Sequence, residues 1–384
     1  MRLGFDLRPF LRRETGVGTY LRNLLFGLAR LDRDNEYFLF SASWKDRFPA
    51  SQVPPFAKAR LIDRRIPVRV LNRAWQRWGF PSFDRLVGAR MDLVHSPMPL
   101  ILPTGGKKII TVHDLFFMDS PASAGKEAGE VFFRRAAGSF KLCDGIITFS
   151  SFTRDQLAAR FDVRPEKVRI IPHGVDRCFL EDISAAELEA FRAARRLPAS
   201  FLLFVGAQEP RKNLPRLIEA LKIVHLHGDK TPLVLAGPPG GDTETVRATA
   251  ARLGLEQWLT MTGYLPPDDL PKLYRSATAL VFPSLCEGFG LPLVEAMAAG
   301  LPVVAAMNSA IPEVAADAAV YFPAEDAEAM AAQISLILEN DRLRAELAGR
   351  GKKRVQDFSW EKSAAETLRF YLEIGESRVM RKPR

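Results

Sequence analysis

Cysteine is scarce. The 384 residues hold three, Cys143, Cys178 and Cys286, odd in number, far apart and in no CxxC pattern. That spacing argues against a disulfide framework and against a zinc site, and a reducing cytoplasm is the expected compartment. Long apolar runs are missing as well. No stretch approaches the roughly 18–20 residues that span a bilayer. The opening MRLGFDLRPF has no signal-peptide core, and its LGFDL reads as a first strand. There is no repeat period, nothing of low complexity beyond Ala-rich helical stretches near 324–349, and no DxD-like acidic cluster placed to hold a metal. The 47% hydrophobic and 26% charged residues are those of an ordinary globular protein, which excludes disorder, collagen and coiled coil. The length suggests two domains, each with its own core.

Charge is unevenly spread. Residues 1–180 hold 30 Lys and Arg against 18 Asp and Glu, whereas residues 181–384 hold 24 against 27, so the first half carries all of the net +9. The excess is densest in RLIDRRIPVRVLNRAWQRWGF (60–80), where Arg60, Arg64, Arg65, Arg69, Arg73 and Arg77 interleave with Val70, Leu71, Trp75, Trp78 and Phe80. Such a mixture fits an anionic membrane surface, and equally a solvated helix face with a few core aromatics. No nucleic-acid motif accompanies the charge, and nucleic acid is not an expected partner.

Short apolar runs alternate with helical patterns, as in a parallel sheet with crossover helices. The strand candidates of the first half are LGFDL (3–7), YFLFS (37–41), MDLVHS (91–96), KIITV (108–112), GIITFS (145–150) and VRIIP (168–172). Those of the second are FLLFVG (201–206), LVLAG (233–237), LTMTG (259–263), ALVFPS (279–284) and PVVAA (302–306). Val17, Leu21, Leu24, Leu25 and Leu28 predict a helix between the first two strands, and Ser150 or Ser151 an N-cap for another. The expectation is an α/β protein of two doubly wound, Rossmann-like domains facing a central cleft. The first covers 1–182, with a helix at about 359–384 packing back on it; the second covers 183–358. Ligands of such sheets bind outside the carboxyl ends of the strands.

Four segments carry candidate chemistry. In ALVFPSLCEGFGLPLVEAMAAGLPVV (279–304) a buried strand runs into a Glu-Gly-Phe-Gly turn and then a helix with Pro292 in its first turn. Gly288 and Gly290 let the backbone approach a ligand, and the amides near Phe289, Gly290 and Leu291 point at an anion. Glu287 and Glu295 flank the same helix start and suit sugar hydroxyls, which donate to carboxylates. In VGAQEPRKNLPRLIEAL (205–221), Arg211 and Lys212 precede a helix and form a diphosphate clamp by charge and place. In ETGVGTYLRNLL (14–25), Gly16 and Gly18 lie in a loop opening a helix, which reads either as a phosphate approach or as a capping turn. In TVHDLFF (111–117), His113 and Asp114 follow a buried strand, where functional side chains of such sheets sit.

Taken together, these segments resemble the retaining, nucleotide-sugar-dependent glycosyltransferases of family 4, which have the GT-B fold. The resemblance also takes in PHGVD (172–176) and FSWEKSA (358–364), and its most specific element is the Glu-x7-Glu pair inside EGFGLP. It implies that Glu287 meets the donor sugar and Glu295 the ribose hydroxyls. Arg211 and Lys212 would bind the diphosphate, and His113 would approach the sugar from the first domain. Two positions depart from the family pattern: His173 where many relatives have Asn, and Ala207 where some have Arg. The implied reaction is metal-independent hexosyl transfer with retention, to a glycan or lipid-linked glycan acceptor at the inner face of the cytoplasmic membrane. The nucleotide sugar is a co-substrate, GDP-mannose by the wording of EPRKNL and CEGFGLP, and no cofactor is expected. UDP- and dTDP-sugar transferases, a sugar-nucleotide epimerase and a non-catalytic binding subunit are the alternatives. An α-glucan phosphorylase would need a pyridoxal lysine, for which no context is found.

Overall fold

The computed structural model describes residues 1–11, 16–119 and 126–376, which fold as two units, Met1–Gly174 with the chain from Ser359, and Val175–Phe358. Seven strands build the first unit: β1 (Arg2–Asp6), β2 (Glu36–Ala42), β3 (Ala59–Arg64), β4 (Leu93–Ser96), β5 (Lys107–Thr111), β6 (Gly145–Thr148) and β7 (Val168–Ile170). All are parallel, in the order β3-β2-β1-β4-β5-β6-β7. Strands covered by helices on both faces read as unbroken apolar runs, which is why Leu3, Phe5, Leu39, Phe40, Ile110 and Ile146 are all buried. Helix Ser151–Phe161 starts as expected, with Ser150 Oγ accepting the Thr153 amide.

A polar thread runs through this core. Tyr371 OH lies 2.6 Å from His95 Nδ1, His95 Nε2 lies 2.7 Å from Thr111 Oγ1, and Thr111 Oγ1 lies 3.2 Å from Tyr20 OH. It joins helix Trp360–Glu376, strands β4 and β5 and helix Gly16–Leu31, and each buried polar atom finds a partner. The returning helix is seated closely: a Cβ on Gly174 would fall 2.1 Å from the Trp360 nitrogen, so only glycine fits there.

The second unit has six parallel strands, β8 (Leu202–Val205), β9 (Leu233–Ala236), β10 (Leu259–Gly263), β11 (Ala279–Phe282), β12 (Val303–Ala306) and β13 (Ala319–Phe322). Their order is β10-β9-β8-β11-β12-β13. Strand order therefore reverses between β8 and β11, whose carboxyl ends lie side by side, the place where doubly wound sheets bind ligands.

The units divide at Gly174/Val175, eight residues before the boundary expected at 182/183. Phe179 explains the difference, since its ring stands edge-on to Tyr274 at 5.7 Å and its carbonyl accepts from Arg275. Of the helix expected over 359–384, residues 377–384 lie outside the described residues. Strands β3 and β13 were not anticipated. β3 is a charged edge strand, ARLIDR, and β13 has four residues in an Ala-rich stretch. Among the described residues no helix is long and apolar enough to cross a membrane.

Candidate functional site

The loops leaving β8 and β11 are laced together. After β8 the chain makes a 3-10 turn, Pro210–Lys212, and Asn213 takes a left-handed conformation, φ 57°, at the start of helix Leu214–Leu226. Asn213 Nδ2 donates to the Pro283 carbonyl at 3.2 Å and to the Ala324 carbonyl at 2.7 Å, while the Leu285 amide donates to the Arg211 carbonyl at 2.8 Å. These bonds bring the two cations onto the acidic turn. Lys212 Nζ donates to Glu287 Oε1 at 2.5 Å and Arg211 Nη1 to Glu287 Oε2 at 3.0 Å, with Arg211 Nε also on Glu209.

This cluster is buried at its centre: Lys212 and Glu287 are each 6% exposed. Burial alone would raise the Glu287 carboxyl, but the Lys212 and Arg211 charges outweigh it and hold the carboxyl below its usual range. Burial also lowers the Lys212 ammonium, an effect that the Glu287 charge opposes. The Glu287 amide donates to Ser309 Oγ, fixing the turn from below. Gly290, φ 96°, then opens helix Leu291–Ala298 with Pro292 in its first turn, a backbone conformation that suits glycine. The Phe289 side chain packs into the core, edge-on to Phe358 at 5.5 Å, so the ligand-facing resource of Gly288, Phe289, Gly290 and Leu291 is backbone rather than side chain.

Glu295 lies one turn further along this helix, in a different setting. Its Oε2 accepts from the Tyr274 hydroxyl at 2.7 Å. Burial pushes its carboxyl up to about 7; the Tyr274 bond opposes that rise and the Asp176 charge adds to it.

In the first unit His113 follows β5 and stands in an aromatic cage. Tyr20 meets it edge-on at 5.5 Å, with Phe149 at 5.0 Å and His173 at 6.2 Å. Its Nε2 lies 3.1 Å from the Pro97 carbonyl; a carbonyl only accepts, so this nitrogen carries the proton and Nδ1 offers a lone pair. Burial depresses His113 to about 4 and carries His173 well below 6.5, so both are neutral at pH 7. His173 lies 3.7 Å from Phe149 and 5.4 Å from Trp360, centroid to centroid. It serves as part of the cage wall. Asp114 Oδ1 accepts the Phe116 amide at 3.1 Å and so starts helix Phe116–Asp119. The expected glycine loop is resolved differently: Gly16 is the first residue of its helix and Gly18 is buried in the first turn, while residues 12–15 lie outside the described residues.

Arg211, Lys212 and Glu287 are thus in direct contact, and Gly288 to Leu291 continue from them. His113 and Asp114 belong to the other unit. Glu209, Asn213, Tyr274 and Ser309 support these residues and were not singled out from the sequence. Asn213 was visible within RKN; the others gave no local signal. Among the described residues, no three His, Cys, Asp or Glu side chains gather as metal ligands.

Two doubly wound parallel sheets, one carrying a cation–carboxylate cluster at its switch point, are the architecture of the GT-B fold. Residues 15–178 match the model for Glycosyltransferase Family 4, and residues 187–354 match that for Glycosyl transferases group 1. The chain belongs to this family of glycosyltransferases. It is 28% identical to the O-antigen chain mannosyltransferase B of Escherichia coli, over 97% of this chain and 99% of the relative. It is 28% identical also to the MMP alpha-(1->4)-mannosyltransferase of Mycolicibacterium hassiacum, over 93% of this chain and 94% of that one. Among solved structures, the sucrose-phosphate synthase of Thermosynechococcus elongatus shares the fold with a TM-score of 0.76 at 22% identity, covering 98% of this chain and all of that one.

Proposed function

We propose that the protein transfers mannose from GDP-mannose to a hydroxyl of a glycan or lipid-linked glycan in the assembly of a cell-surface polysaccharide, with retention at the anomeric carbon. The observation that carries this reading is the Arg211–Lys212–Glu287 cluster beside the amides of Gly288–Leu291. It supplies positive charge and N–H donors where a diphosphate leaving group needs them. Two relatives of nearly the same length that are mannosyltransferases support the choice of sugar.

In this reading Arg211 and Lys212 give up part of their pairing with Glu287 to take the diphosphate, and Glu287 turns to the sugar. Glu295 accepts the ribose hydroxyls. His113 is too weak a base at about 4 to take a proton at neutral pH. It acts instead as a fixed acceptor, its Nδ1 receiving a hydroxyl of the transferred sugar. Retention follows from front-face attack: the bond from the anomeric carbon to the phosphate oxygen breaks, the acceptor oxygen bonds on the same face, and the departing phosphate oxygen takes the acceptor's proton.

The test is thermal stability with GDP, UDP, dTDP, ADP and their sugars, with and without EDTA. A ligand at 100 times its Kd adds about 2.7 kcal/mol to the native state. GDP and GDP-mannose should raise Tm, and GDP-mannose should then label a manno-oligosaccharide or lipid-linked acceptor. A response to UDP or dTDP alone would replace the donor. Conversion of the nucleotide sugar with no acceptor present would make the protein an epimerase. Binding without transfer to any acceptor would favour a binding subunit.

The basic segment bears on where this happens. Helix Val68–Trp78 is anchored by buried Leu71 and by Trp75, whose Nε1 donates to the Pro81 carbonyl and over which Arg8 stacks at 4.5 Å. Arg69, Arg73 and Arg77 recur every four residues on its exposed side, beside Val70 (60% exposed), Trp78 (70%) and Phe80 (52%). No Asp or Glu occurs from 64 to 83. This is the pattern of a helix lying on anionic lipid, where each cation contributes about 1 kcal/mol, and it supports the reading that the enzyme works at the inner face of the cytoplasmic membrane. Phosphatidylglycerol vesicles should sediment the protein and phosphatidylcholine vesicles should not. If replacing Arg69, Arg73 and Arg77 by Ala leaves sedimentation unchanged, the helix is not the docking surface.

A further inference from the structure

Tyr274 lies on helix Leu270–Ser276, in the stretch between β10 and β11, fully buried with its ring edge-on to Phe179. A buried phenol needs a hydrogen-bond partner, and this one has an unusual choice. Its single proton goes to one oxygen of Glu295, the carboxylate read above as the ribose acceptor. No other hydrogen bond to the Glu295 carboxylate forms among the described residues, so Oε1 is left open to a ligand. The groups that face Glu295 are Tyr274, Asp176 and Cys178. Of the three, only Tyr274 holds the carboxylate in one orientation, because it alone donates to it.

We infer that Tyr274 is a positioning residue of the donor site: by binding Oε2 it turns the free acceptor sites of Glu295 toward two adjacent hydroxyls, and so makes the site select ribonucleotides over deoxyribonucleotides. The inference rests on the reading of Glu295 as the ribose acceptor. A carboxylate free to rotate would trade its bonds to the diol for bonds to water at little cost. A carboxylate held by a buried phenol is already aligned, so loss of the diol leaves a desolvated acceptor unsatisfied.

Calorimetric titration of the full-length protein with GDP and 2′,3′-dideoxy-GDP, and with the corresponding UDP pair, tests this. The wild type should prefer the ribo form by about tenfold or more, as expected for hydrogen bonds to a charged acceptor. Tyr274→Phe keeps the ring and should keep affinity for the dideoxy form, while its preference for the ribo form falls to within about threefold. The pH profile separates positioning from mere packing. In the wild type the preference should develop as pH rises through about 7, when Glu295 ionises. In Tyr274→Phe that midpoint should move up, because the bond that favours the charged form is gone.

An unchanged preference and midpoint in a folded Tyr274→Phe protein would overturn the role of Tyr274 and leave the donor reading standing. A wild type that binds both forms equally, or neither base, would overturn the ribose assignment of Glu295 itself. Should Tyr274→Phe fail to fold, Glu295→Gln serves in its place. It keeps an acceptor for the phenol, and it must abolish the pH dependence while retaining binding of the dideoxy form; retained pH dependence overturns the inference.

Discussion

The two units carry opposite chemistry at their candidate residues. In the second, Arg211, Lys212 and Glu287 form a buried knot of full charges. In the first, His113 stands among Tyr20, Phe149 and His173 with no charge at neutral pH. In the proposed function this difference corresponds to the two parts of a nucleotide sugar. A diphosphate must be neutralised as it leaves, and only full charge already in place does that. A sugar hydroxyl needs one acceptor held still, and a neutral imidazole in a rigid cage provides it without attracting water or protons.

The sharpest way to break this contrast is to remove one member from each side. Lys212→Met leaves Glu287 buried with a single cation. Loss of one partner from a buried pair costs about 3–5 kcal/mol, with Arg211 holding this case to the lower end, so Tm should fall by several degrees and nucleotide affinity by about 100-fold. Adding Glu287→Leu should restore much of the Tm and none of the binding. His113→Ala should do the reverse, leaving nucleotide affinity within about threefold while transfer slows about 100-fold, the size expected for a lost positioning contact. Equal losses of binding in both variants would erase the division between the units.

The smaller effect is in the pH dependence of stability. His113 is depressed by burial to about 4, so between about 4 and 6.5 the folded protein binds fewer protons than the unfolded chain and its stability rises with pH. Glu295 runs the other way. Its carboxyl stands at about 7 against 4.5, so the folded protein binds more protons between those values and stability falls as pH rises through them. Each is worth about 3 kcal/mol across its window, and the two oppose each other, while buried His95 and His173, also held below 6.5, act on the side of His113. Relative to the wild type, Glu295→Gln should therefore steepen the rise of Tm from pH 5 to 6.5 by a few degrees, and His113→Ala should flatten it by a similar amount. Identical slopes in all three proteins would show that neither group is held away from its usual pKa.

The sheets were legible because buried parallel strands leave a continuous apolar signature; each of the eleven runs read as strands overlaps a strand. β3 escaped because an edge strand exposes the charges of Arg60 and Arg64, and β13 because AVYF is too short to stand out from neighbouring alanines. The site was legible only where local sequence encodes local shape. Pro292 and Gly290 announce a helix start, and Arg211 and Lys212 announce cations before another. The pairing of Lys212 with Glu287 spans 75 residues and that of Tyr274 with Glu295 spans 21. Both depend on which strands lie side by side, and no window of sequence contains that information.

The close seating of Gly174 on Trp360 has a consequence for how this chain can be rebuilt. The points where the chain leaves the first unit and re-enters it are neighbours in space, so residues 175–358 form a cassette whose two ends meet. Insertions of that kind are exchangeable, because host and guest each close upon themselves. If the proposed division of roles holds, grafting a relative's 175–358 between Gly174 and Ser359 should carry over that relative's nucleotide preference and leave acceptor choice unchanged, a result that activity assays of the chimera would check. The same proximity lets the chain be recut so that it begins and ends at that junction.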